Sequence, residues 1–148
     1  MTFAERIQSA FEHHETDKVP VHHISVSSRV ASYFLGREVC VGGGIQQWRE
    51  AKARWEGEDA HAEFLEKSAQ DATDVAEAFE MDIVRPFYWM ESRKPAKKID
   101  EYTFFYGDPE GEYEIKRLDP ITELYYTVEN KTLQKQVECL AVMAIYGL

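Results

Sequence analysis

Cysteine, positive charge and long apolar runs are all scarce in this chain of 148 residues. The two cysteines, Cys40 and Cys139, are too few for a disulfide framework and form no CxxC metal motif. No stretch reaches the ~18 apolar residues of a membrane span, and residues 1–14 lack the apolar core of ~7–15 residues that a signal peptide needs. We therefore expect a cytoplasmic protein with reduced thiols.

Basic residues are outnumbered, with 17 Lys and Arg against 27 Asp and Glu, so the formal net charge is −10. Such a charge opposes binding to nucleic acid phosphates and to anionic membrane surfaces. Hydrophobic residues at 44% and aromatic residues at 13% are typical of a globular protein. The composition thus predicts a single domain over residues 1–148, with neither nucleic acid nor membrane as a partner.

Helical periodicity dominates the first eighty residues. Thr2 and Glu5 have the spacing of a capping box, which predicts a helix over residues 3–13. Apolar residues at spacings of three and four predict three further helices, at about residues 28–35, 45–57 and 59–79. Most of the acidity falls between residues 50 and 80, which is typical of a solvated helical face.

Two apolar segments flank these helices and predict parallel strands. Val19–Val26 follows a helix-breaking Asp-Lys-Val-Pro sequence, and Met81–Arg85 ends at Pro86. The order of strand, helices and strand is typical of a βαβ unit with a right-handed crossover.

The last third of the chain predicts antiparallel structure. Residues 101–106 and 112–118 flank Gly107-Asp-Pro-Glu-Gly111, in which the Asp, Pro and Gly positions favour a type I turn and hence a β-hairpin. Residues 124–128 are a candidate third strand, and Thr132 is a candidate cap for a final helix.

Candidate ligand-binding residues lie at the predicted parallel strands. His22 and His23 are adjacent, so their side chains point to opposite faces, and the sequence leaves open which one faces a pocket or whether both are structural. Arg85 ends the second strand beside Tyr88 and Trp89, where parallel sheets bind ligands, and a guanidinium suits a carboxylate; a structural ion pair is the alternative. The sequence assigns no catalytic residue and no metal site.

Five motifs, in order, resemble the N-terminal part of the uroporphyrinogen decarboxylase superfamily. They are ERI-SAF in the first helix, DKVPV before the first strand, FLGRE after the short helix, MDIVRPFYW after the long helix, and the GDPEGEYE hairpin. The chain is most similar to the cobalamin-related methyltransferase-like branch. The resemblance implies an α/β fold, a partial (β/α)₈ TIM barrel in which this chain is the N-terminal βαβ portion with an antiparallel hairpin insertion. It places five candidates near the barrel mouth: His22, His23, Ser25, Arg29 and Arg85.

Departures from the family pattern refine this expectation. Of the two arginines with which the decarboxylase holds substrate carboxylates, one falls on Arg29 and the other on Ser25, and its aspartate after the second strand has no counterpart here. The His-x-Cys zinc pair of the methyltransferase branch is also absent, so a corrinoid or zinc would require a second half of the barrel. The resemblance therefore implies the N-terminal portion of a protein for corrinoid-linked methyl transfer, catalytically incomplete alone and too short to close a barrel.

Two alternatives to this function stay open. The first is a non-catalytic module that binds a small acid or a partner chain, and the second is a lyase related to uroporphyrinogen decarboxylase. The expected partners are a small-molecule substrate, a corrinoid protein, and either further copies of the chain or the rest of the barrel, because open strand edges must be covered.

Overall fold

The computed structural model describes residues 1–87 and 89–132, in which four helices precede a four-stranded antiparallel sheet. The helices are α1 (Phe3–Phe11), α2 (Ser28–Leu35), α3 (Gly44–Glu56) and α4 (Glu58–Ala78). The strands are β1 (Lys97–Lys98), β2 (Thr103–Gly107), β3 (Tyr113–Asp119) and β4 (Leu124–Asn130). The predicted final helix and Cys139 lie outside the described residues, as does Tyr88.

The helical predictions are confirmed. The capping box of α1 forms in both directions: the Glu5 backbone N–H donates to Thr2 Oγ1 at 3.2 Å, and the Thr2 backbone N–H donates to a Glu5 carboxylate oxygen at 2.7 Å. Helix α2 ends at Gly36, whose φ of 65° is the left-handed conformation in which glycine avoids a steric penalty. Helix α4 begins directly after Gly57, one residue earlier than predicted.

The core is built on both sides of α3. On one side, Ala53 packs with Phe64 of α4 and Cys40. On the other side, Ala51 packs with Phe104 and Tyr106 of the sheet, both of them fully buried. Helix α3 is therefore the layer that joins the helical part of the molecule to the sheet.

The sheet is a meander with the order β1-β2-β3-β4, and it confirms the predicted hairpin. Strands β2 and β3 pair from Thr103 with Arg117 to Gly107 with Tyr113. At the turn, the Gly111 N–H donates to the Asp108 carbonyl oxygen at 3.0 Å, and the Asp108 carboxylate accepts the Glu110 N–H at 3.0 Å. The candidate third strand is β4, which pairs with β3 and is two residues longer than expected.

The expected partial TIM barrel is wrong. Residues 19–26 and 81–85 form no strand, and the sheet in the described residues is antiparallel, with no βαβ crossover. The physical reason lies at Val21, where the carboxylate of Asp82 accepts the N–H that a ladder would need. Val21 and Ile24 are also exposed, whereas strands of a parallel barrel are buried on both faces.

Helix α3 begins in direct contact with β4. A Cβ atom at Gly44 would lie 2.3 Å from the Tyr125 backbone nitrogen and 2.5 Å from the Glu123 carbonyl oxygen. Only glycine permits this approach, so residue 44 is a packing position between α3 and β4.

Within the described residues, no helix combines the length and apolar character that crossing a membrane requires.

Candidate functional site

The candidate site is a cleft between the two extended segments, residues 19–26 and 81–86. The Asp82 backbone N–H donates to the Val21 carbonyl oxygen at 2.8 Å, and the Asp82 carboxylate accepts the Val21 N–H at 2.8 Å. One aspartate thus fixes both backbone groups of Val21 and holds together two segments that lie far apart in sequence.

Asp82 is itself anchored to α1 through a buried arginine. The Arg6 guanidinium donates to Asp82 Oδ1 and donates twice to the Asp17 carboxylate, at 2.7 and 3.0 Å. The Arg6 side chain is 6% exposed and the Asp82 side chain is fully buried. The hydrogen bond from the Val21 N–H lowers the pKa of Asp82, against the effect of burial, and Arg6 lowers it further. The carboxylate therefore stays ionised beside the guanidinium.

A cavity of about 40 Å³ lies inside the cleft, lined by His23, Ser25 and Arg85 together with apolar side chains of α4 and both segments. His23 Nδ1 accepts the Ser25 backbone N–H at 3.3 Å, and Arg85 Nε donates to the Phe87 carbonyl oxygen at 3.1 Å. A water molecule needs roughly 10–15 Å³, so the cavity has room for a group of a few atoms such as a carboxylate.

The two adjacent histidines face different environments. His23 lines the small cavity, whereas His22 lines a separate apolar groove of about 280 Å³ with residues of α1, including Ile7 and Phe11. His22 Nδ1 lies 3.4 Å from the Ile83 carbonyl oxygen. Both histidines therefore line a pocket, and only His23 shares the small cavity with Ser25 and Arg85.

Arg29 does not join the other candidates. It lies on α2 and donates through Nη2 to the Pro120 carbonyl oxygen at 2.7 Å, while its Nε is 3.4 Å from a Glu123 carboxylate oxygen. These contacts tie α2 to the turn between β3 and β4, away from the cavity. Tyr88, the remaining candidate, is outside the described residues.

Two residues that shape the cleft were missed from the sequence. Buried Gln46 donates through Nε2 to the carbonyl oxygens of Cys40, at 3.2 Å, and Pro86, at 3.0 Å, which fixes the end of the second segment against α3. Asp82 was read only as part of a strand. Its place inside the apolar run MDIV was an available signal, because a carboxylate among buried apolar residues needs a charged or hydrogen-bonding partner.

The cleft offers donors that suit a small anion. The guanidinium of Arg85 can hold a carboxylate through two parallel hydrogen bonds, and Ser25 adds a hydroxyl donor. In the part of the chain that the structure describes, no group of three or more His, Cys, Asp or Glu side chains is placed to hold a metal ion.

Comparison of the chain with protein-family models, with curated proteins and with solved structures gave no match.

Proposed function

We propose that this chain is the small-acid-binding part of a uroporphyrinogen decarboxylase-like protein concerned with corrinoid-linked methyl transfer, and that it is not catalytically complete alone. The observation that supports the binding role is the meeting of His23 and Ser25 with Arg85 at one cavity. The motif resemblance supports the link to methyl transfer.

The proposed ligand is a small carboxylic acid. Its carboxylate would occupy the cavity and accept hydrogen bonds from Arg85 and Ser25, while the rest of the molecule would extend outward past the exposed His23. A corrinoid protein would supply or accept the methyl group. We further propose that the chain contacts either other copies of itself or the remaining part of a larger protein.

The carboxylate role is tested with two arginine variants. Titration of the full chain with acetate and succinate, followed by NMR chemical shifts, should show saturable binding that Arg85→Gln weakens tenfold or more. Arg29→Gln is the matched control and should leave the affinity unchanged, because Arg29 contacts Pro120 and Glu123 instead of the cavity. Equal loss in both variants, or no saturable binding to the wild type, would refute the carboxylate site.

The incompleteness of the chain is tested separately. Methylcobalamin and a thiol acceptor, incubated with the chain, should give no methylated thiol above the protein-free rate. Turnover would show that the catalytic groups are present here and would overturn that half of the proposal without touching the carboxylate site.

A further inference from the structure

A second cavity, of about 120 Å³, lies between the sheet and the segment that follows the cleft. Among the described residues, its lining includes Gln47, Trp89, Glu91, Lys116, Tyr125, Tyr126 and Thr127. They come from α3, β3, β4 and the segment before β1, so four parts of the fold converge on it.

The two charged side chains that line this cavity, Glu91 and Lys116, pair with each other and with Arg93 and Glu114. Lys116 Nζ lies 2.8 Å from Glu91 and 3.7 Å from Glu114, and Arg93 lies 2.9 Å from Glu91 and 2.7 Å from Glu114. The negative charges of the two carboxylates are therefore balanced by the positive charges of Lys116 and Arg93. A charged ligand would meet no uncompensated opposite charge here, which favours an uncharged one.

The phenol of Tyr125 also lines the cavity and contacts a second phenol, that of Tyr106. The hydroxyls of Tyr106 and Tyr125 lie 3.2 Å apart, and Tyr106 is 1% exposed. Burial raises the pKa of Tyr106 to about 12, and burial together with the neighbouring phenol raises the pKa of Tyr125 further. Both phenols stay protonated at neutral pH and act as neutral hydrogen-bonding groups.

The wall of the cavity offers hydrogen-bonding groups of both kinds beside aromatic surface. Within residues 1–87 and 89–132, the amide of half-buried Gln47 and the indole N–H of Trp89 make no hydrogen bond. The Thr127 hydroxyl donates to Glu114, so its oxygen can still accept a hydrogen bond. Trp89 is 64% exposed at the cavity, a large apolar surface facing solvent.

Alternating donors and acceptors beside an aromatic ring match one ligand class. Each hydroxyl of a polyol both donates and accepts, and the carbon face of a sugar or cyclitol ring is apolar enough to cover an aromatic side chain. We infer that the cavity lined by Gln47, Trp89 and Thr127 binds a small uncharged polyhydroxylated molecule of the monosaccharide or cyclitol class.

The inference is tested by NMR on the full chain, in which signals of both the ligand and the protein are followed. The probes are methyl α-D-glucopyranoside and myo-inositol, and the charged comparators are tetramethylammonium and acetate. Acetate is measured on the Arg85→Gln variant, so that binding at the Arg85 cavity does not contribute. Saturation transfer and shifts of the Trp89 indole N–H should show saturable binding of at least one polyol in the millimolar range. Absence of polyol binding, or tighter binding of tetramethylammonium, would overturn the site.

Two glutamine variants locate the binding. Gln47→Ala should weaken polyol binding fivefold or more, because the amide lines the cavity. Gln70→Ala is the matched control: this glutamine is exposed on α4 and donates to Asp74 within its own helix, so its loss should leave affinity unchanged. Unaltered binding by Gln47→Ala, with circular dichroism unchanged, would place the ligand elsewhere and refute the assignment.

Discussion

The sheet and the cleft are built from similar β-forming sequence but are held together by different interactions. In the sheet, backbone ladders join β2, β3 and β4 over five to seven residues each. In the cleft, the two extended segments share one backbone hydrogen bond, and an aspartate and a buried arginine fix the rest. Stability in the sheet is therefore spread over many weak contacts, whereas in the cleft it depends on a few charged groups.

The sharpest test of this difference is Asp82→Ala. The substitution leaves the Arg6 guanidinium with Asp17 and the Met1 carbonyl oxygen and removes the acceptor of the Val21 N–H, so we expect a loss in the free energy of unfolding, measured with urea, that exceeds the losses for the Glu91 and Phe11 variants below. Asp82→Asn keeps an oxygen for Val21 and should lose less. A loss below about 1 kcal/mol for Asp82→Ala would show that the cleft does not depend on this carboxylate.

A smaller effect, with a defined pH window, is expected at Glu91 beside the sheet. Burial raises the pKa of Glu91, but hydrogen bonds from Arg93 and Lys116 outweigh burial and hold the pKa at about 2. Because the folded pKa lies below the unfolded value of about 4.5, the carboxylate stabilises the fold above that pH, and the stabilisation is lost as the pH falls toward 2.

Glu91→Gln should therefore cost about 1 kcal/mol at pH 7, after allowance for solvent screening, and the difference from the wild type should shrink on acidification. Urea unfolding at pH 7, 4 and 3 measures this. A difference that stays constant over this range would mean that the ion pairs with Arg93 and Lys116 do not stabilise the folded state.

The smallest effect is expected at the exposed rim of the apolar groove that His22 lines. Phe11 is 79% exposed, so Phe11→Ser should change the free energy of unfolding by less than about 0.5 kcal/mol. Phe64→Ser, at a buried position in the contact between α3 and α4, is the contrasting variant and should cost about 3 kcal/mol or more. A large loss for Phe11→Ser would mean that another surface covers this rim.

Local signals predicted the helices and the hairpin because each depends on residues close in sequence. The Thr2 capping box, the stop at Gly36 and the Asp108 turn all act within a few residues. The parallel strands were predicted from the composition and order of the segments, and this prediction was wrong. The Val21 N–H donates to the carboxylate of Asp82, a residue distant in sequence, instead of to a neighbouring strand.

The structure brings together some of the candidate residues and not others, and whether they bind a ligand stays a prediction. His23, Ser25 and Arg85 meet at the cavity because their segments lie side by side, as a chain order of extended, helical and extended segments favours. Arg29 was grouped with them by motif resemblance alone, and its partners on the turn after β3, Pro120 and Glu123, had no local signal. Gln46 was missed because a glutamine on a helix is usually exposed to solvent. Its burial depends on the segment that ends at Pro86, whose position the sequence did not predict.

The contact of Gly44 with Tyr125 has a consequence for the order of folding. It joins the first residue of α3 to the second residue of β4, so residues 45–124 lie between its two sides. Closing so long a loop is entropically costly, and contacts of this kind slow folding. During synthesis α3 emerges before β4. The side of α3 that faces the sheet, including Ala51, therefore stays exposed to solvent until the sheet has formed.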